Sequence, residues 1–441
     1  MAGRPSSTQT LNVWMNGEFV GQWSFSHKSG HSFIYDRSWL NNSKARSISL
    51  SMPLSNGVTP FTGPVVEFYF DNLLPDTPRI RKRIASKFGA DSTNAFQLLE
   101  KIGRDCVGAL QFLPKDSPAP DVRRLDAEPL TETEIERILD DAVSGRNFGI
   151  SEEDELRISI AGAQEKTALL WHDSKWCRPH GTTPTTHIMK LPLGEVGGMR
   201  ADFSTSVENE WLCLKLLRAY GLDVPNCEVQ RFGPHKVLVV ERFDRRLTEG
   251  WWVRLPQEDF CQVEGVPQEK KYESKGGPGI SQILNKLRGS ENAELDRRNF
   301  LTAQLIFWML AAPDGHAKNF SIFIGRQDRF RLTPFYDVMS AWPVIGRGPR
   351  EFQLQKVKLS MALHTSNTHY KIVEIQRRHW NQVAQANAVG SDFEEVIHRI
   401  IEATPTAIDS VARDLDPHFP DEVSGRIFDG LNKQMERLRI T

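Results

Sequence analysis

The residue types best able to do chemistry stand together in one stretch, Asp314-Gly315-His316-Ala317-Lys318-Asn319, followed past a polar turn by Asp337. Phosphoryl transfer needs one carboxylate to orient the acceptor hydroxyl. It also needs an amide and a second carboxylate to hold Mg2+ against a triphosphate. Asp-x4-Asn and a later Asp supply those groups in that order. On the plainer reading, Asp314-Gly315 is a turn after a helix and Asp337 caps a strand.

The spacing of Asp314 to Asn319 equals that of a protein-kinase catalytic loop, although the HRD and DFG flanks are absent. Such chemistry needs a cation on the phosphates, and His187-Ile-Met-Lys190-Leu-Pro places a lysine in an apolar strand. A strand lysine usually points to water. The next helix tips the balance: Glu210 falls on its apolar stripe with Val207, Leu214 and Leu217. Acids are seldom buried unpaired, so Glu210 is the expected partner of Lys190. Glu208 falls nearer Lys215, on a more exposed face.

Upstream, Ser159-Ile-Ala161-Gly162-Ala163-Gln164-Glu165-Lys166-Thr167 joins two strands through small residues that let backbone N–H groups approach phosphates. It is neither a Walker loop nor GxGxxG, and alone it reads as a hairpin turn. Val237 to Arg246 runs from a buried strand into Glu241-Arg242-Phe243 and further charges, where an adenine-binding hinge would sit. An edge strand with a solvated charge run fits that segment equally well.

The elements that must position these groups follow from pattern. Asn16-Gly17 between two alternating runs predicts an opening hairpin. Strands are predicted at Ser32–Tyr35 and Ile48–Leu54, helices at Thr77–Phe88 and Gln97–Ile102. The segment Pro114 to Pro120 marks a boundary. Thr131 and Glu134 form a capping box before an amphipathic helix. Strands then predominate at Arg157–Ile160, Lys166–Trp171, His187–Leu191 and Val237–Arg242, with one helix at Val207–Tyr220 ended by Gly221. Beyond Leu255 the pattern is helical, at Phe300–Ala312, Tyr370–Ala386, Phe393–Ile401, Ala407–Asp414 and Val423–Leu438. The predicted organisation is an N-terminal α+β domain (1–115), a linker and tether helix (116–155), a β-rich lobe (156–250) and a mostly helical lobe (251–441).

Composition narrows the field. A chain of 441 residues with Lys+Arg 55 against Asp+Glu 56 is an ordinary globular protein with no global attraction to nucleic acid or anionic membrane. Its five cysteines are scattered without a CxxC, which argues for a reduced compartment and against structural zinc. The longest apolar run, Leu305–Ala312, is far below the roughly 20 residues that span a bilayer. The N-terminus lacks a signal-peptide core, so a cytoplasmic location without membrane contact is expected. GxSxG is missing, and the His27/His31 pair lacks the HExxH glutamate. The basic clusters at Arg79–Lys87 and Arg377–His379 read as solvated helix faces.

Long strings of the chain are similar to the HipA family, serine/threonine kinase toxins of bacterial toxin–antitoxin pairs. They include Asp71-Asn-Leu-Leu-Pro-Asp76, Ile102-Gly-Arg-Asp105 and Ala161-Gly-Ala-Gln-Glu-Lys-Thr-Ala-Leu-Leu170. Thr185-Thr-His-Ile-Met-Lys190-Leu-Pro, Val240-Glu-Arg-Phe-Asp-Arg-Arg246 and Arg254-Leu-Pro-Gln-Glu-Asp259 belong to the same pattern. So do Asp314-Gly-His-Ala-Lys-Asn319-Phe and Pro334-Phe-Tyr-Asp337. The resemblance runs from Val13 to the C-terminal helices. It implies an α+β, bilobal, divergent kinase fold in which Asp314 is the catalytic base and Asn319 and Asp337 hold Mg2+. Lys190 would sit on the ATP phosphates and Ala161, Gly162, Ala163, Gln164, Glu165 and Lys166 over them, with Glu241, Arg242 and Phe243 against adenine. His316, Ala317, Lys318 and Tyr336 would complete the ATP site.

The resemblance further implies autophosphorylation at Ser159 that switches the kinase off, and phosphorylation of glutamyl-tRNA synthetase. It also implies neutralisation by a HipB-type helix-turn-helix antitoxin, which brings the operator DNA. Pro313 departs from the pattern and should stiffen the loop entry and end the helix; the segment after Glu195 differs in length. Two other readings share these features: a small-molecule phosphotransferase with its own Asp…Asn…Asp set, and a catalytically idle DNA-bound corepressor, against which the intact set argues.

Overall fold

The computed structural model describes residues 8–54, 57–144, 164–198, 200–390 and 393–440. Asn16 and Gly17 both take positive φ, 50° and 83°, as a two-residue type I′ turn requires. They fold β1 (Gln9–Met15) onto β2 (Glu18–Ser26). β3 (Gly30–Tyr35) leads through the short α1 (Arg37–Leu40) towards β4 (Phe61–Thr62). Helices α2 (Pro64–Asp71), α3 (Pro78–Lys87) and α4 (Ala95–Ile102) precede β5 (Leu110–Pro114), which closes a sheet of order β4-β3-β2-β1-β5. Trp23, Phe33, Phe70, Phe96 and Phe112 fill the core between sheet and helices. The run 48–54 is not the strand its pattern predicts. The Ser47 and Ser49 hydroxyls accept from Leu54 and Ser51 N–H, and the Tyr35 hydroxyl accepts from Ile48 N–H and donates to the Met52 carbonyl.

The next lobe begins earlier than the sequence suggests. β6 (Ala127–Pro129) and α5 (Glu132–Ser144) lie in the expected linker, yet both belong to this lobe. The Thr131/Glu134 box opens α5, and Ile135, Ile138 and Leu139 pack against Leu169, Met189, Val237 and Val239. Burying each such side chain is worth about 1.5–3 kcal/mol, enough to turn a tether into a structural helix. β7 (Lys166–His172), β8 (Lys175–Pro179) and β9 (His187–Lys190) follow, then the small pair β10 (Gly194–Val196) and β11 (Ala201–Phe203). α6 (Ser206–Ala219), β12 (Cys227–Phe232) and β13 (His235–Glu241) complete the lobe. Its sheet has the order β12-β13-β9-β7-β8-β6. The predicted strand at 157–160 lies outside the described residues.

The lower lobe opens with two short hairpin strands, β14 (Arg245–Thr248) and β15 (Trp251–Arg254). β16 (Gln257–Asp259), α7 (Phe260–Val263), α8 (Ile280–Lys286) and α9 (Ala293–Met309) come next. β17 (Ser321–Ile324) and β18 (Phe330–Leu332) form the hairpin after the Asp314 stretch, and β17 also pairs with β16. β19 (Lys358–His364), β20 (Thr368–Lys371), α10 (Arg377–Ala386), α11 (Glu394–Arg413) and α12 (Asp421–Ile440) finish the fold. Two predictions fail here. The stretch expected to be helical from Tyr370 begins as β20, paired with β19, so the helix starts only at Arg377. The two helices expected around Pro405 are one, α11. Ile397, Ile400, Ile401, Ala407 and Val411 bury both halves in one core, which outweighs the roughly 3 kcal/mol cost of an interior proline.

No helix of the described residues is long and apolar enough to cross a membrane. Cys106, Cys177, Cys213, Cys227 and Cys261 are buried and form no disulfide.

Candidate active site

Lys190 ends β9 with its ammonium buried between two carboxylates. Nζ donates to Glu210 Oε1 at 2.6 Å and to Asp337 Oδ1 at 2.8 Å. Glu210 comes from α6 and Asp337 from the segment after β18, so one cation joins both lobes. Burial works against the charge, but Asp337 and then Glu210 hold the Lys190 ammonium above its ordinary value. Asp337 likewise resists the effect of burial and is held well below the usual carboxylate range by Lys190 and Lys166. Glu210 is raised by burial, with Lys190 opposing. Glu208, read as exposed and near Lys215, is instead buried and paired with Lys236.

Lys166 stands directly across from Lys190 in the β7–β9 ladder. Like charges facing each other across a ladder are destabilising unless an anion lies between them. Burial lowers the Lys166 ammonium to about 8, Asp337 opposing and Lys190 adding to the fall. Two lysines beside two acids form a ready seat for a polyanion. Gln164 Nε2 donates to the Leu191 carbonyl, and Glu165 is held by Arg79 and Arg83 of α3. Ser159, Ala161, Gly162 and Ala163 lie outside the described residues.

Below the cleft, α9 ends with Ala311 at φ 47°, and Ala312 N–H bonds back to the Phe307 carbonyl at 2.8 Å. This six-to-one closure stops the helix before Pro313 enters. Ser360 Oγ donates to the Pro313 carbonyl at 2.6 Å and pins the loop entry. Asp314 Oδ1 accepts from the Tyr272 hydroxyl at 2.7 Å. Burial and the adjacent carboxylate raise the Tyr272 phenol well above its ordinary value, so it stays a donor. Asn319 Nδ2 donates to the Asp314 carbonyl at 2.8 Å and to the Asp337 carbonyl at 3.3 Å. That orientation leaves the Asn319 amide oxygen as the atom turned to other ligands. Asp337 sits at φ 60°, a left-handed conformation that aspartate tolerates better than most side chains.

The donor set suits a Mg-nucleotide. Mg2+ is usually held by one or two carboxylates together with substrate phosphates rather than by an all-protein cage. Asp337 and the Asn319 amide oxygen supply such a partial set beside the paired lysines. Among the described residues no group of three or more His, Cys, Asp or Glu side chains gathers to hold a metal by itself.

Three predicted ATP contacts have other duties. Arg242 is sealed in an ion cluster: its Nε and Nη2 bond Asp244 at 2.9 Å, and Nη1 bonds Thr185 Oγ1 at 2.8 Å and Asp105 Oδ2 at 3.2 Å. Arg245 and Arg254 bind the same Asp105, and Gly108 N–H binds Asp244 at 2.7 Å. Arg242 therefore anchors the segment that follows β13, with its guanidinium turned to this cluster. Lys318 Nζ is buried against Asp76 Oδ1 at 3.0 Å and the Asn72 carbonyl at 3.1 Å. The Tyr336 hydroxyl is engaged with Ser321 Oγ and the Lys318 carbonyl, while its ring lies 5.5 Å from that of Phe243, joining the lobes through an aromatic pair. Glu241 is exposed and accepts from Asn226. His316 is buried 3.9 Å from Asp314 Oδ1, and burial lowers its imidazole to about 4 although Asp314 opposes.

Sequence reasoning missed Tyr272, Lys271 and Asp76. Asp76 stood inside a family string, but nothing local marks it as reaching Lys318 of the 314–319 stretch. Tyr272 precedes a loop of no regular pattern.

Residues 158–408 match the HipA-like C-terminal domain family and residues 11–113 the HipA N-terminal domain family. The chain is 33% identical over 440 residues to the putative kinase Y4mE of Sinorhizobium fredii, covering 95% of this chain and 98% of that protein. It is 27% identical over 351 residues to the serine/threonine-protein kinase toxin HipA of Shewanella oneidensis, 76% of each. The solved structure of that organism's HipA, with HipB and its operator DNA, is similar with a TM-score of 0.78 at 22% identity, covering 97% of both chains. The architecture is thus that of a bilobal, divergent serine/threonine kinase carried on an N-terminal α+β domain. Within that class the chain belongs to the HipA family of kinase toxins.

Proposed function

We propose that the chain transfers the γ-phosphoryl group of Mg-ATP to a serine or threonine hydroxyl of a protein. The observation that carries this is Lys190 held between Glu210 and Asp337, with Lys166 opposite and the Asn319 amide linking the Asp314 and Asp337 carbonyls. In this reading Asp314 accepts the hydroxyl proton of the acceptor, and Lys190 and Lys166 bind the phosphates. Asn319 and Asp337 would hold Mg2+, which when bound neutralises charge developing on the transferred group. Tyr272 and the Asn319 amide hold the loop that aims Asp314. In this reading the paired rings of Phe243 and Tyr336, 5.5 Å apart, lie against the adenine.

The acceptor is glutamyl-tRNA synthetase, and its phosphorylation arrests translation and growth in the manner of a type II toxin. A HipB-type antitoxin neutralises the chain and carries it to operator DNA. The similarity to a HipA solved with HipB and operator DNA supports this. Autophosphorylation at Ser159 switches the kinase off, since a phosphate adds about two negative charges beside the ATP loop. The setting is cytoplasmic.

The test is radiolabel transfer from ATP to purified glutamyl-tRNA synthetase and to the chain itself. Asp314→Asn is expected to lower the rate by roughly 10²–10⁴-fold, the usual contribution of a general base. Unchanged labelling would remove Asp314 from that role, and transfer to small alcohols alone would favour a small-molecule acceptor. Intact mass measurement of the purified chain, with the added phosphate mapped to Ser159, tests the switch.

A further inference from the structure

Asp76 stands in the turn between α2 and α3, in the N-terminal domain and outside both kinase lobes. Its two oxygens nonetheless reach two segments of the lower lobe. Oδ1 accepts from Lys318 Nζ at 3.0 Å, and Oδ2 accepts from Lys271 Nζ at 2.8 Å. Lys318 directly precedes Asn319, whose amide is bonded to the Asp314 carbonyl. Lys271 directly precedes Tyr272, whose hydroxyl is bonded to Asp314 Oδ1. The two segments also touch each other, Ala317 N–H donating to the Lys271 carbonyl at 3.1 Å. A single carboxylate thus ties together both segments that hold Asp314. Lys318 is buried and its ammonium is engaged with Asp76 and the Asn72 carbonyl, so the bridge is made inside the protein rather than on a solvated face.

The neighbouring residues of the same stretch grip the opposite wall. Arg79 Nη2 lies 2.8 Å from Glu165 Oε1, and Arg83 Nη1 donates to the same oxygen at 3.1 Å. Glu165 directly precedes Lys166, the partner of Lys190 across the ladder. The turn before α3 and the first helical turns of α3 therefore contact the segment that enters β7 and two segments of the lower lobe.

We propose that Asp76 is a positioning residue of the phosphoryl-transfer centre, supplied by the N-terminal domain, which holds residues 314–319 and the Tyr272 segment in the register that aims Asp314. The proposal rests on the kinase reading of Asp314. An aspartate that merely packed two domains together would affect stability alone. A positioning residue affects turnover in the folded protein, because a displacement of about 1 Å at a reacting group can cost as much as 10²-fold in rate.

The experiment uses the full chain as wild type, Asp76→Asn and Asp76→Glu. Amide hydrogen exchange is followed by mass spectrometry, and initial rates of labelling of glutamyl-tRNA synthetase are measured over a range of ATP concentrations. In Asp76→Asn, residues 314–319 should exchange faster while the remaining core keeps its protection. Its kcat should fall by roughly 10- to 100-fold with KM for ATP little changed. Asp76→Glu, which keeps the carboxylate, should recover part of that loss. Wild-type exchange at 314–319, or wild-type kcat, in Asp76→Asn overturns the proposal. If Asp76→Asn does not fold, Lys271→Met removes one arm and leaves Lys318 paired. It should lower kcat several-fold and loosen Ala317, and an unchanged kcat there overturns the proposal equally. Loosening of 314–319 in a chain that transfers no phosphate even as wild type keeps the bridge and overturns the kinase reading instead.

Discussion

Gly315, the neighbour of Asp314, has no room for a side chain. A Cβ placed there would lie 2.6 Å from Phe307 Cδ2 and 2.9 Å from Cε2. Phe307 is buried in α9 and stacks on Phe320 with ring centroids 5.8 Å apart, so it cannot swing away cheaply. Gly315→Ala should therefore push residues 314–319 rather than the ring. The expected loss of stability is about 1–3 kcal/mol, typical of overpacking. Phosphate transfer should fall by more than that loss of folded protein explains, as read from denaturation and labelling rates on the same samples. Equal, proportionate losses would place the strain elsewhere. The sequence drew attention to this loop through residue types, since Asp314, Asn319 and Asp337 are of the kinds phosphoryl transfer uses. It also announced Glu210, because an acid on an apolar stripe demands a partner. It could not announce Tyr272, whose meeting with Asp314 spans 42 positions and follows no periodicity.

Among the elements, β16 carries a buried acid that faces the N-terminal domain. Glu258 Oε2 accepts from Ser49 Oγ at 2.5 Å and Oε1 from Leu50 N–H at 2.8 Å. Burial pushes its carboxyl up to about 8, with the Ser49 and Leu50 donors opposing. A folded value raised above the unfolded one means that the native state binds more protons. The stability this group contributes is full below about 4.5 and is lost as pH rises through about 8. The denaturation midpoint of the wild type should accordingly decline across that window, and Glu258→Gln should decline less. Parallel curves for the two proteins would refute the assignment. Elements were legible where one face alternates or recurs, as in the opening hairpin, α5 and α6. They were misread where tertiary partners overruled pattern. The 48–54 run became turns bonded to Glu258 and Tyr35, and α11 crosses Pro405 because its buried face is continuous.

At the scale of the whole molecule, Asp105 is the common anion of Arg242, Arg245 and Arg254, all four nearly inaccessible to water. Removing one partner of a buried ion network typically costs about 3–5 kcal/mol, because the other charges stay behind without compensation. Asp105→Asn should lower unfolding free energy by about that amount in chemical denaturation. A loss below about 1 kcal/mol would mean that water enters the cluster. Both ends of this network stood in family strings, yet 137 positions separate Arg242 from Asp105 and no local pattern links them. The cluster holds three arginines against two aspartates, and one of those acids, Asp105, belongs to the N-terminal domain. Cutting the chain after β5 would leave Arg242 and Arg245 sharing Asp244 and would take from Arg254 its carboxylate partner, and it would take Asp76 away from Lys318 and Lys271 as well. For recombination between relatives, the inheritable unit is therefore the whole chain: a chimera exchanging the first domain has to bring both aspartates at the same two positions.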